Sequence, residues 1–227
     1  MKFKGHQKSS FIDYPDKICT VLFTGGCNFR CPFCHNSGIV YNNGEDISEE
    51  YIFEYLSRRH KLIDAVCISG GEPTIHNELV EFIKKVKSMD YLVKLDTNGT
   101  NPKILTMLLE QNLLDYIAMD IKAPLEKYSK VANISVDIDK IKESIDIIKS
   151  SDIDNEFRTT VCKELLSTGD ILSIGEYIRG AKRYTIQNFR DSDTVLDGKG
   201  NFTAFKAHEL SEIESHLKDY FDVLKIR

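Results

Sequence analysis

Three cysteines in the run Cys27-Asn-Phe-Arg-Cys31-Pro-Phe-Cys34 are spaced C-x3-C-x2-C on one short loop. Thiolates are soft ligands suited to zinc or to iron–sulfur clusters. A closed structural zinc site takes four protein ligands in a tetrahedron, and a cubane cluster has four irons to ligate. Three thiolates therefore hold a cluster with one iron left open, where a small molecule can bind and react.

Two other readings of the cysteines are weaker. Six Cys in 227 residues is too sparse for a disulfide framework. The opening Met1-Lys2-Phe3-Lys4-Gly5-His6 has no apolar run behind it, so a reducing, cytoplasmic setting is expected. Zinc would need His35 to complete a Cys3His set, and the adjacency of Cys34 and His35 would require an unusual backbone. Cys19, Cys67 and Cys162 lie singly in apolar, β-rich runs and read as small buried hydrophobes.

Strands and helices alternate along the chain. The expected strands are Ile18–Thr24, Ala65–Ser69, Leu92–Leu95, Tyr116–Ile121, Glu156–Val161, Tyr184–Phe189 and a short Val223–Ile226. The expected helices are Ser48–Leu62 with Ser48 as N-cap, Asn77–Ser88, Pro102–Gln111, Asp139–Lys149, Asp170–Arg179 and His208–Tyr220. Such alternation implies parallel strands joined by right-handed crossovers. Six β/α units fall short of the eight that close a barrel, which predicts an α/β fold: a partial (β/α)6 TIM-like open barrel in one domain over residues 1–227. The hydrophobic fraction of 41% and net charge of −5 point to neither a membrane span nor a nucleic-acid footprint.

Polar groups recur where these strands end. The cysteine loop follows the first strand, Gly70-Gly71-Glu72-Pro73 the second and Asp96-Thr97-Asn98-Gly99 the third. Asp120 and Lys122 end the fourth, Arg158 lies on the fifth, and Gln187-Asn188 on the sixth. Each has a plain alternative: a turn, an ion pair, a solvated face. Their joint placement at strand C-termini is where α/β folds carry chemistry.

The cysteine run with GGEP and DTNG resembles the radical S-adenosylmethionine (SAM) enzymes, and among them the glycyl-radical-enzyme activases. Phe11-Ile12-Asp13-Tyr14-Pro15, Cys34-His35-Asn36 and Ile186-Gln187-Asn188-Phe189-Arg190 are similar to the branch of anaerobic ribonucleoside-triphosphate reductase activating proteins. One departure is Asp16, where that branch usually has Gly. The resemblance implies that Cys27, Cys31 and Cys34 hold a [4Fe-4S] cluster and that SAM chelates the open iron. Reductive cleavage then yields a 5′-deoxyadenosyl radical that abstracts hydrogen from a glycine of a partner enzyme. A flavodoxin or ferredoxin-type protein is the expected reductant.

For SAM itself, Gly70 and Gly71 would let backbone approach its amino group, and Glu72 would pair with the ammonium. Lys122 and Arg158 would hold the carboxylate, Asn98 the ribose hydroxyls, and Phe33 would lie against adenine or pack the loop. The resemblance further implies a monovalent cation at Asp96, Thr97, the Met119 backbone oxygen and Asp120. It also implies contact of Asp13 and Arg158 with the partner's glycine loop. Three alternatives stay open: an activase of a pyruvate formate-lyase type enzyme, a small-molecule radical SAM enzyme, and a zinc-binding module without catalysis.

Overall fold

An antiparallel strand, β1 (Phe3–Ser10), opens the chain ahead of the first expected strand. Its sequence, FKGHQKSS, has no apolar alternation, and only its two ends are buried. It forms because it pairs with β2 (Cys19–Thr24), with Phe3 set opposite Thr24 and Ser10 opposite Cys19. The computed structural model describes residues 1–227.

The remaining elements follow the expected alternation, with two short helices added to it. After β2 come α1 (Ser37–Val40), α2 (Glu49–Arg59), β3 (Ala65–Gly70), α3 (Leu79–Lys87), β4 (Leu92–Thr97), α4 (Pro102–Glu110) and β5 (Tyr116–Asp120). Then come α5 (Tyr128–Ala132), α6 (Ile138–Ser150), β6 (Asp154–Val161), α7 (Thr168–Tyr177), β7 (Arg183–Asn188), α8 (Ala207–Leu217) and β8 (Val223–Ile226). The strand order follows the chain order from β1 to β8. The pairs β2–β3, β3–β4, β6–β7 and β7–β8 are parallel.

Local chemistry explains several boundaries. Ser48 caps α2 as expected, its side chain accepting from the Tyr51 N–H. Helix α7 starts two residues before its expected start at Asp170. Ser167 and Asp170 form a reciprocal capping box there, which pulls the start forward. Asp16, the departure noted above, has φ 59°. Glycine takes that left-handed conformation freely and Asp is among the few other residues that tolerate it, so the substitution keeps the turn.

Contacts divide the chain into two units. The first comprises Met1–Asn28, Gly38–Thr97 and Asn101–Ile117; the second comprises Phe29–Ser37, Asn98–Thr100 and Ala118–Arg227. The core of the first is built from β2, β3 and β4, whose residues Val21, Leu22, Val66, Ile68, Val93 and Leu95 are at most 2% exposed. Continuous apolar runs of this kind belong to parallel strands covered on both faces. In the second unit β6 alternates instead. Asn155, Phe157, Thr159 and Val161 are buried, leaving Glu156, Arg158 and Thr160 on the other, half-buried face. Cys19, Cys67 and Cys162 are buried as expected. No helix is long and apolar enough to cross a membrane.

Candidate radical SAM site

In the first unit, the end of β3 is laid against the start of the cysteine loop. Gly71 N–H donates to the Thr24 carbonyl at 2.9 Å, and Glu72 N–H donates to the Gly26 carbonyl at 2.9 Å. Gly26 and Cys27 in turn donate to the Ile39 and Val40 carbonyls of α1. The glycines are required by this approach. Gly70 has φ +120°, and a Cβ on Gly71 would fall 1.8 Å from the Gly26 carbonyl oxygen. The sequence reading gave these two glycines a role toward a ligand. Here their missing side chains bring two stretches of backbone together beside Cys27.

Glu72 is fully buried. Its Oε1 accepts from the Thr74 N–H at 3.0 Å, the Thr74 hydroxyl at 2.6 Å and the Thr97 hydroxyl at 2.8 Å. It therefore caps the short 3-10 turn Pro73–Ile75 and joins the GGEP turn to Thr97 of the DTNG run. Removing the carboxylate leaves these donors without their acceptor, which costs about 1–3 kcal/mol for each one that stays dry. Glu72→Ala is expected to lower stability by about 2–4 kcal/mol and to weaken SAM binding while the cluster is retained. Thermal unfolding and equilibrium SAM titration measure the two effects, and an unchanged SAM affinity contradicts the role.

Lys94 is a residue the sequence reading missed. It is 1% exposed and donates to Asp96 Oδ1 at 2.6 Å, with its ammonium 5.5 Å from the Tyr116 ring centroid. A lysine two residues before an aspartate on a strand shares its face, which is the only signal the sequence carries. Asp13 accepts from the Ser10 hydroxyl, and its carbonyl accepts from the Cys67 thiol at 3.6 Å. Beside it Phe11 and Ile12 are 75% and 78% exposed.

In the second unit, Cys34 N–H donates to the Cys31 carbonyl at 3.1 Å, folding Cys31-Pro-Phe-Cys34 into a turn. Asn36 N–H points at Cys34 Sγ, 3.4 Å away. Cys31 and Phe33 are buried and Cys34 is half-buried. His35 turns away from the cysteines: its ring stacks on Phe189 at 5.3 Å and its Nε2 bonds the Arg190 carbonyl. That placement engages the imidazole, which a zinc site would need as its fourth ligand, with Phe189 and Arg190.

Asp120, Lys122 and Arg158 form one cluster. Lys122 Nζ is 3.0 Å from Asp120 Oδ2, and Arg158 Nε is 2.8 Å from Asp120 Oδ1. Burial acts to raise the Asp120 carboxyl, yet the two cations outweigh it and hold it well below the usual carboxylate range. Burial likewise acts to lower Lys122, but Asp120 and then the charge of the nearby Cys31 thiolate raise it. Cys31 and Lys122 thus stand within electrostatic reach of each other. Asn98 uses its Oδ1 to accept from Thr100 N–H and hydroxyl at 3.1 and 2.7 Å, closing the DTNG turn. The Met119 side chain packs against Gly99, where a Cβ would fall 2.0 Å from its Cε.

Residues 21–165 match the radical SAM superfamily model, and a protein of Methanocaldococcus jannaschii is 33% identical over 223 residues, covering 96% of this chain and 92% of its own length. The chain belongs to the radical SAM superfamily. That relative is named a putative glycyl-radical enzyme activating enzyme. A relative from Thermoplasma volcanium named a probable GTP 3′,8-cyclase is 26% identical over 200 residues, and the chain spans 59% of its length.

Among solved structures, Streptococcus suis SuiB bound to its precursor peptide SuiA superposes with a TM-score of 0.70 at 13% identity, over 90% of this chain and 47% of that one. The AdoMet-bound anSMEcpe structure gives 0.66 at 16% identity, over 90% and 61%. At such identities the likeness is one of fold. It bears out the α/β reading, the partial TIM-like barrel of radical SAM enzymes.

Membership implies a [4Fe-4S] cluster and SAM as cofactors. The chain's own donors fit them. Cys27, Cys31 and Cys34 supply soft thiol ligands on one loop, none of them in a disulfide.

Proposed function

We propose that this radical SAM chain is a glycyl-radical-enzyme activase whose target is an anaerobic ribonucleoside-triphosphate reductase. The observation that carries the reading is the 33% identity to a relative named as an activating enzyme, over nearly the whole of both chains. The FIDYP and IQNFR segments favour the reductase branch over a pyruvate formate-lyase type partner.

When bound, the cluster and SAM supply a 5′-deoxyadenosyl radical, the hydrogen-abstracting agent for a peptide glycine. Cys27, Cys31 and Cys34 ligate the cluster. Lys122 and Arg158, already held in place by Asp120, orient the SAM carboxylate, since a guanidinium and an ammonium fixed beforehand lose little freedom on binding an anion. Gly70, Gly71 and Glu72 shape the wall against the SAM amino group, Asn98 meets the ribose, and Phe33 flanks the adenine. Asp96, Thr97, the Met119 carbonyl and Asp120 offer hard oxygen ligands to a monovalent cation. Asp13 and Arg158 meet the partner's glycine loop, and a flavodoxin or ferredoxin-type protein donates the electron.

The test is partner-dependent SAM turnover under anaerobic, reducing conditions. Addition of the reductase is expected to raise 5′-deoxyadenosine formation to about one equivalent per glycine converted. Formation at the same rate without any protein partner contradicts the activase reading.

A further inference from the structure

The run Ile186-Gln187-Asn188-Phe189-Arg190 has no role in the chemistry proposed above, yet it anchors a distinct piece of structure. Asn188 ends β7, and its side-chain amide reaches 17 positions along the chain. Its Nδ2 donates to the Phe205 carbonyl at 2.9 Å while its Oδ1 accepts from the Phe205 N–H at 2.9 Å. One side chain thereby satisfies both main-chain groups of Phe205 and closes the base of the segment 189–205, much as a strand partner would.

The middle of that segment grips the cysteine loop. Leu196 N–H donates to the Cys34 carbonyl at 2.8 Å, and Asp197 N–H donates to the Pro32 carbonyl at 3.0 Å. Between base and grip, Phe189 stacks on His35 at 5.3 Å and meets Phe202 at 5.7 Å, and Val195 is 4% exposed. The segment has no helix or strand of its own. Its shape is held by its aromatic filling, by these bonds and by others nearer its base, where Gly200 N–H donates to Asp191 Oδ2 at 3.0 Å and Lys163 N–H donates to the Thr203 carbonyl at 3.0 Å.

We infer that residues 189–205 form a strap that holds Cys31–Cys34 in ligating position, with Asn188 as its base clamp. A three-thiolate loop without a fourth ligand needs its geometry fixed by the surrounding protein, and hydrogen bonds to the peptide groups between ligands do this. Asn188 is thus a positioning residue, acting on the cluster through the strap and touching neither cluster nor SAM. The donors at Leu196 and Asp197 are main-chain groups, so any residue but proline supplies them. The specific residue the device requires is the amide at its base, which accounts for an asparagine at the end of β7. The inference rests on the cysteine loop holding the cluster.

The test is iron release from the anaerobically loaded, full-length protein to an excess of a ferrous chelator. Asn188→Leu keeps the side-chain volume and removes both bonds to Phe205. Leu196→Pro removes the N–H that meets Cys34, midway along the strap. Both are expected to release iron on the order of 10-fold faster than wild type, the scale on which groups behind the ligands affect metal retention. Asp193→Ala serves as a control, because Asp193 is exposed on the strap's crest and pairs with Lys199; its release is expected to match wild type. The electron paramagnetic resonance line shape of the reduced cluster should change in Asn188→Leu and Leu196→Pro, which a loss of scaffold stability alone would not produce. Release rates equal to wild type in both variants overturn the strap while leaving the cluster assignment standing. A wild-type protein that takes up no iron overturns the cluster assignment and the strap together.

Discussion

Cys31→Ala is expected to lose its iron and all SAM cleavage, whereas Cys162→Ala keeps both. The two cysteines are equally hidden, 6% and 1% exposed, so burial does not separate them; chemistry does. Cys31 lies in the turn closed by Cys34 N–H, within electrostatic reach of Lys122. Cys162 follows β6 in apolar surroundings, and burial, reinforced by Glu164, pushes its thiol up to about 12. At neutral pH it stays a protonated, small hydrophobe. Its truncation costs the loss of a few packing contacts, about 1 kcal/mol. Loss of Cys31 leaves two thiolates, one on each side of the gap, and a cubane then has two irons without protein ligands. Iron and sulfide analysis with a SAM-cleavage assay reads both variants, and equal loss in the two contradicts the ligand assignment.

Gly71→Ala is expected to be severely damaging although it alters no chemical group. The added methyl would fall 1.8 Å from the Gly26 carbonyl oxygen and 2.5 Å from its carbon. Both are backbone atoms, held by the Glu72 N–H bond to Gly26 and by the Gly26 N–H bond to Ile39. Nothing flexible can give way, so β3 must separate from the cysteine loop. The expected loss is on the order of 3–5 kcal/mol, with cluster loading reduced even where the protein stays folded. Gly38→Ala is the matched control: its Cβ meets nothing within 4 Å, it lies in α1, and alanine there is expected to be neutral or slightly stabilising. Denaturant unfolding of both variants decides the point. A Gly71→Ala protein as stable as Gly38→Ala would show that the two backbones part without cost.

The parts of the fold legible in the sequence were those set by local chemistry. The apolar β-branched runs at Cys19–Thr24 and Ala65–Gly70, Ser48 before α2 and Pro102 at the start of α4 all carry their own signals. Strand β1 carried none, because an edge strand with Lys4, His6, Gln7 and Lys8 owes its conformation to β2 and not to a buried face of its own. The short α5 lacks the length for a helical period to register.

The candidate site divides in the same way. The cysteine spacing is a one-dimensional signal and was read from the chain alone. The hub at Glu72, by contrast, depends on Thr97 lying 25 positions away, and the strap depends on Leu196 meeting Cys34. Neither pairing is written in any local run. Lys94 reads as a routine strand lysine until its burial against Tyr116 is known. Lys122 and Arg158, expected as carboxylate binders, are found sharing Asp120, an ion pair that for Lys122 the two-residue spacing already allowed.

The central claim, that this radical SAM chain activates a glycyl radical enzyme, is tested most directly by electron paramagnetic resonance. The cluster-loaded protein is mixed anaerobically with reductant, SAM and the anaerobic reductase. The account predicts a doublet from a glycyl radical on the partner, collapsing to a singlet when the partner's glycine carries deuterium at its α-carbon. Reduced cluster and cleaved SAM with no glycyl doublet would contradict it.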